Sequence, residues 1–308
     1  MAINFLATRL FGTLLASALA ATVASASSTN LRAGDEPAHS FEQIFLELEP
    51  LSKQTRRRQI NTLESPALVS PVELSVFTRL RRSKSAGRQG YSNATLIAGG
   101  HCYWIASAAG HSVLDQRYSR IASRGDIEVM LPNGSWANPI EMAASEALNW
   151  NSGEVDDWAL LVLLAPRCAF DDTQTFSQPL PHINSPAINQ VNLENCADSV
   201  QMLCYHFDQN VAVGQRMLER DCHMRHRSDE GLNGSTGYIS CKVDAGVSGC
   251  SPVCVQSGGW LNLGVFSKGL QRHRSDTHPQ QVGAFRIIDG EFADALSALK
   301  LKYGIEQQ

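Results

Sequence analysis

The sequence predicts a mostly β fold, on three observations. From Val72 onward, short apolar and β-branched runs alternate with clusters of turn residues. Beyond that point only one stretch repeats at helical spacing, and it lies at the C-terminal end. The segment from Val72 to the end is about 235 residues, long for one sandwich but ordinary for a barrel domain or a pair of small barrels. The whole chain has 308 residues, 43% of them hydrophobic, which is enough apolar material for a sizeable core and excludes wholesale disorder.

In chain order, the first element is a targeting segment. Met1 to Arg9 leads into the apolar run Leu10 to Val23 and then Ala24-Ser25-Ala26, a small-x-small site of the kind signal peptidase cuts. Residues 1–26 are therefore expected to be a signal peptide. The run is short, Ala-rich and followed by Ser27-Ser28-Thr29 rather than a basic flank, which argues against a membrane-spanning helix. No later segment approaches the ~20 apolar residues a span needs, so no membrane association is expected after cleavage. The expected location is secreted or periplasmic.

Residues 27–70 are polar and read as a pro-segment or N-terminal arm. Within them Phe41, Ile44, Phe45 and Leu48 predict one helix. The basic run from Lys53 to Arg58 fits either a cleavage site or the solvated face of a helix. Ser65-Pro66 and Ser70-Pro71 mark the boundary with the domain, 71–308. Strands are expected at Val72 to Leu80, Asn93 to Ile97, Cys102 to Ser107, Ile127 to Leu131, Trp158 to Leu164, Val200 to Phe207, Pro252 to Gln256 and Trp260 to Ser267. Asp289 can cap a final helix carrying Phe292, Ala295, Leu296 and Leu299 on one face.

Lys plus Arg number 26 against 30 Asp plus Glu, and the net charge of −4 offers no global field for a nucleic acid. All eight cysteines lie between Cys102 and Cys254, and in an exported chain an even number points to disulfides.

Three segments carry the parts of a nucleophilic triad. Tyr103 to Val113 is an apolar strand that delivers His111 through Ser107-Ala108-Ala109-Gly110. Glu154 to Leu163 places Asp157 just before a buried strand, and Asp244 to Val253 sets Ser248 in a glycine-bracketed turn. These segments resemble the trypsin/chymotrypsin-like serine peptidases, nearer the bacterial glutamyl-endopeptidase-like branch. Ser107 to Ser112 is similar to the family's Thr-Ala-Ala-His-Cys with a glycine added. Asp157-Trp158-Ala159-Leu160-Leu161 matches Asp-x-Ala-Leu-Leu, and Gly246-Val247-Ser248-Gly249 matches Gly-x-Ser-Gly. The gaps of 46 residues from His111 to Asp157 and 91 from there to Ser248 are close to the family's.

The resemblance implies a double six-stranded β-barrel with a C-terminal helix, and a serine endopeptidase acting through an acyl-enzyme. His111 would be the base, Asp157 its orienting carboxylate and Ser248 the nucleophile, with the Gly246 and Ser248 N–H groups as the oxyanion hole. A serine hydroxyl is a poor nucleophile at neutral pH and needs such a base. The resemblance implies no cofactor and no metal. It implies a protein or peptide substrate and admits a protein inhibitor or the chain's own pro-segment as partner. The substrate pocket would be walled by Lys242 to Ala245 and by Phe266, Ser267, Lys268 and Gly269. Lys242 and Lys268 would favour an acidic side chain if they faced it, or would point to solvent.

The chain departs from the family in several places. Val247 replaces the aspartate with which the digestive enzymes bind a new amino terminus. The proline after the nucleophile falls one residue late, at Pro252, and Ser112 stands where the family has cysteine. These departures keep a second reading open, a catalytically inactive homologue that binds protein or peptide. His101, Asp156 and Ser251 are the rivals of the three triad residues. The expected bridges are Cys222 with Cys241 and Cys204 with Cys254; a zinc site around Cys222 to His226 is the less favoured use of those cysteines.

Overall fold

Every position of Ala159 to Leu164 is apolar, and the strand these residues form is buried on both faces. It is seen in a computed structural model that describes residues 41–52, 56–59, 76–83, 90–115, 120–151, 153–165, 168, 182–185, 190–206, 215–228, 234–241, 246–256, 259–270 and 282–305. The expected signal peptide lies outside the described residues.

Helix α1 (Phe41–Ser52) and strand β1 (Arg56–Gln59) come first. They are followed by β2 (Phe77–Arg82), β3 (Gly90–Gly99), β4 (Tyr103–Ala108), β5 (Leu114–Asp115), β6 (Arg120–Ile121), β7 (Ile127–Met130), β8 (Trp136–Ala137), β9 (Glu141–Ala144) and β10 (Ala159–Leu164). The second half holds α2 (Gln190–Cys196), β11 (Val200–His206), β12 (Gln215–Cys222), β13 (Met224–Ser228), β14 (Ser235–Ile239), β15 (Ser251–Gln256), β16 (Gly259–Asn262), β17 (Gly264–Leu270), β18 (Val282–Ile287) and α3 (Gly290–Lys302). A seven-stranded sheet runs β8-β7-β2-β3-β4-β10-β9. A five-stranded sheet runs β1-β12-β11-β15-β16, and a four-stranded one runs β13-β14-β18-β17. All of these ladders are antiparallel.

The alternation of β10 explains its composition. Ala159, Leu161 and Leu163 join Phe77, Leu80, Leu96 and Trp104 in one core. Leu160 and Val162 point the other way, to Ile97, Ile105, Met202, Val265 and Phe285. A strand with two buried faces has no polar positions, and each leucine side chain withdrawn from water contributes about 2 kcal/mol.

Of the expected N-terminal arm, residues 41–52 and 56–59 are part of this body. Ile44 and Leu48 of α1 are buried against Tyr238, Val282 and Ala284. Arg56 to Gln59 pair with Met217 to Arg220 of β12, so the end of the basic run is a strand and not a helix face. Asp289 occupies the cap position of α3, but its carboxylate accepts from the Ser235 N–H and from Arg286 and makes no capping bond. The expected strand from Trp260 to Ser267 is two strands broken at Leu263. The charged β12 and β13 gave no apolar run by which to expect them.

Four disulfides join Cys102–Cys168, Cys196–Cys254, Cys204–Cys250 and Cys222–Cys241. The Cys222–Cys241 expectation holds, whereas Cys204 with Cys254 is corrected by register. β11 pairs with β15 as Val200↔Cys254 and Leu203↔Ser251, so Cys204 lies one step beyond Ser251, beside Cys250. Cys204 and Cys222 are thus both oxidised, which removes the thiolates from the zinc alternative.

Candidate active site

β4 and β10 are antiparallel neighbours with Ala108 opposite Ala159, so the end of one strand and the start of the other lie side by side at one end of the sheet. That pairing is how 46 residues of separation close. After Ala109 the chain makes a single 3-10 turn, Gly110–Val113. A Cβ on Gly110 would lie 2.6 Å from Leu148 Cδ1 and 3.0 Å from the Trp158 nitrogen. The added glycine therefore lets the histidine turn press against the segment carrying the acid.

His111 meets Asp157 twice. Its ring Nδ1 is 2.8 Å from Oδ2, and its main-chain N–H donates to Oδ1 at 2.7 Å. The Ser267 hydroxyl also donates to Oδ2. Burial alone would raise the Asp157 carboxyl, but the His111 ring, its charge, the Ser267 hydroxyl and the His111 N–H together hold it below the ordinary aspartate value. Ser267 can reach because β17 bulges there: Phe266 pairs with Phe285 and Lys268 with Ala284, leaving Ser267 as the extra residue.

Ser248 sits in a turn with Gly246 at φ 89° and Gly249 at φ 85°. A Cβ on Gly249 would lie 2.0 Å from the Asn93 carbonyl oxygen, so no larger residue fits at that position. The turn is held from both sides: Gly249 N–H donates to Phe266 O, Cys250 N–H to Val247 O, and Asn93 N–H to Ser248 O. Ser248 Oγ donates to Ser267 O at 3.2 Å. Its hydroxyl thus points to the same residue that holds Asp157, while His111 and Ser248 line one cleft of about 250 Å³. Leu80, Arg82, Tyr91, Trp150 and Gly246 border it too. Among the described residues neither the Gly246 nor the Ser248 N–H has an acceptor.

The rivals fall away for separate reasons. His101 precedes β4 and His111 follows it, which places them about 20 Å apart along the strand. Asp156 accepts from Ser145 Oγ at 2.9 Å. Ser251 is fully buried.

Of the residues expected to wall the substrate pocket, Lys242 lies outside the described residues. Lys268 is half exposed with its ammonium 2.8 Å from Glu154. Ser267 turns its hydroxyl to Asp157, and Gly269 pairs with Gly283. Sequence reasoning missed Asn93; the available signal was a single amide beside the largely apolar run Ala94 to Ala98, a buried polar group that must be satisfied.

No family model matches the sequence, and no curated protein matches it. Solved structures do. A protease, Anisep, from Arthrobacter nicotinovorans is 12% identical with a TM-score of 0.51, covering 72% of this chain and 93% of its own. A Glu endopeptidase is 14% identical with a TM-score of 0.53, covering 80% and 96%. A thermostable serine protease, AL20, from an extremophilic microorganism is 16% identical with a TM-score of 0.52, covering 73% and 96%. The fold is that of the bacterial trypsin-like serine proteases, built of two barrels with a C-terminal helix. Four disulfides fit a protein of an oxidising compartment, and no described helix is long and apolar enough to cross a membrane.

Removing a bridge should separate stability from chemistry. Cys204→Ala/Cys250→Ala opens a loop of 46 residues and Cys222→Ala/Cys241→Ala one of 19. Chain entropy makes these losses about 4 and about 3 kcal/mol in urea unfolding. Cys250 lies two residues after Ser248, so only the first pair should also lower turnover, as measured below the unfolding transition.

Proposed function

We propose that the protein is an exported serine endopeptidase that hydrolyses peptide bonds with Ser248 as nucleophile, His111 as base and Asp157 as its orienting carboxylate. The observation that supports this most is the doubly hydrogen-bonded His111–Asp157 pair, whose histidine lines the same cleft as Ser248.

In the proposed reaction the Ser248 hydroxyl rotates from Ser267 O to His111. Its proton passes to the imidazole as Oγ bonds the substrate carbonyl carbon. The carbonyl oxygen, now negative, takes the Gly246 and Ser248 N–H groups. Such a donor is worth about 3–4 kcal/mol of barrier. The imidazolium, stabilised by ionised Asp157, returns the proton to the leaving amine, and water repeats the sequence on the acyl-enzyme. Burial of Asp157 strengthens these charge interactions, and a carboxyl held below the ordinary aspartate value stays anionic for them.

The substrate is a protein or peptide. An acidic preference through Lys268 is not part of the proposal, because Glu154 already faces that ammonium. Residues 41–59 are proposed to remain as an N-terminal arm, since α1 and β1 each complete a packed or hydrogen-bonded surface.

One observation favours the second reading, an inactive binding homologue: Ser248 Oγ is bonded to Ser267 O and not to His111. In unliganded sites the catalytic bond often forms only with substrate. A fluorophosphonate probe separates the two readings. The expected result is one covalent adduct, located on the Ser248 peptide by mass spectrometry; folded protein that stays unlabelled would exclude the peptidase.

A further inference from the structure

We infer that Asn93 is a positioning residue for this reaction, its side-chain amide fixing the turn that carries the oxyanion donors. The inference rests on the peptidase reading above.

Asn93 lies in β3, opposite Arg79 of β2, and is buried. All of its side-chain polar capacity that the fold engages is directed at the second half of the molecule. Oδ1 accepts from the Tyr205 N–H at 2.7 Å, and Nδ2 donates to Tyr205 O at 3.0 Å and to Gly246 O at 2.8 Å. The orientation is unambiguous: exchanging oxygen and nitrogen would set an NH₂ against an N–H and an oxygen against two carbonyls. The main chain of the same residue donates to Ser248 O at 2.8 Å, and its carbonyl oxygen occupies the space that a Cβ on Gly249 would need. One residue therefore touches Gly246, Ser248 and Gly249.

The site needs such a clamp. Gly246 stands at φ 89°, where a glycine has broad freedom to rotate, and its N–H must point at one spot to serve as a donor. The Gly246 carbonyl belongs to the peptide on the other side of the same Cα, so holding it restricts that rotation. Tyr205 supplies the fixed base. Its neighbour Cys204 is bonded to Cys250, so β11 grips the turn on both sides of Ser248, once through sulfur and once through the Asn93 amide.

The test compares wild type, Asn93→Ala and, as a stability control, Leu299→Ala in α3, which is remote from the cleft. Read out are kcat and KM on a cleaved peptide, the rate of fluorophosphonate labelling, the affinity of a peptide aldehyde whose adduct oxygen occupies the oxyanion site, and Tm. Asn93→Ala is expected to lower kcat and the labelling rate about 10- to 100-fold, with KM changed less than about threefold and aldehyde affinity falling with kcat. Leu299→Ala should lower Tm with kcat kept. An Asn93→Ala enzyme that has lost only Tm overturns the inference. If it does not fold, Asn93→Ser, which keeps a small polar group in the strand but is too short to reach both Tyr205 and Gly246, is read the same way, and failure of both to fold also overturns the positioning role. A wild type that is folded but unlabelled removes the peptidase reading itself, a result distinct from a labelled wild type matched by Asn93→Ala.

Discussion

Ser248→Ala is expected to lower kcat on casein by about a million-fold while leaving Tm within about 2 °C of wild type. The two halves of that expectation come from different parts of the structure. Ser248 Oγ makes one hydrogen bond, at 3.2 Å to Ser267 O, and the side chain is only half-buried, so its loss removes about 1 kcal/mol or less. Chemically it is the only hydroxyl of the Gly246-to-Pro252 segment that reaches the cleft, since Ser251 is buried inside β15. His111→Ala should cost about as much as Ser248→Ala, and the double variant little more, because on the proposed mechanism base and nucleophile act as a unit. Casein cleavage by Ser248→Ala at the wild-type rate would place the chemistry elsewhere.

How much of this was legible in the sequence depends on what each residue has to satisfy. β10 and β4 were legible because strands buried on two faces must be apolar throughout, and Ala159 to Leu164 and Trp104 to Ala108 are nearly so. β12, with Arg216, Glu219, Arg220 and Asp221, was not, because its ladder is made by the backbone and its charges interrupt any apolar pattern.

The three residues of the proposed triad each stood in a motif, but the reason His111 and Asp157 meet is a register, Ala108 opposite Ala159, that no single motif contains. Ser267 was legible as a position and not as a direction. A one-residue bulge in β17 turns its hydroxyl from the expected pocket wall to Asp157. The Cys204 partner failed for a related reason: Cys250 and Cys254 lie only four residues apart, and only the β11–β15 pairing chooses between them. Asn93 left the faintest trace, since its three side-chain partners are main-chain groups 112 and 153 residues away.

Asp157→Asn should lower kcat on the order of 10⁴-fold, with a measurable loss of stability. Both carboxylate oxygens are acceptors here. Oδ1 takes the His111 main-chain N–H, and Oδ2 takes the His111 ring and the Ser267 hydroxyl. An asparagine has one acceptor and one donor end, so neither orientation serves all three groups. With its NH₂ toward the ring, the imidazole must accept at Nδ1 and carry its proton on Nε2, facing Ser248, where it can no longer act as base. With its NH₂ toward the main chain, two donors face each other in a buried site, at about 1–3 kcal/mol. The first orientation removes turnover at little cost in stability, and the second keeps the ring tautomer at the cost of that buried clash. The variant should settle in the first, so that kcat falls steeply while urea unfolding shows only the weakening of the Ser267 contact. KM should change little, because Asp157 is buried behind His111 and the residues bordering the cleft do not include it. An Asp157→Asn protein with kcat within tenfold of wild type would mean that the His111 tautomer is set by something other than this carboxylate.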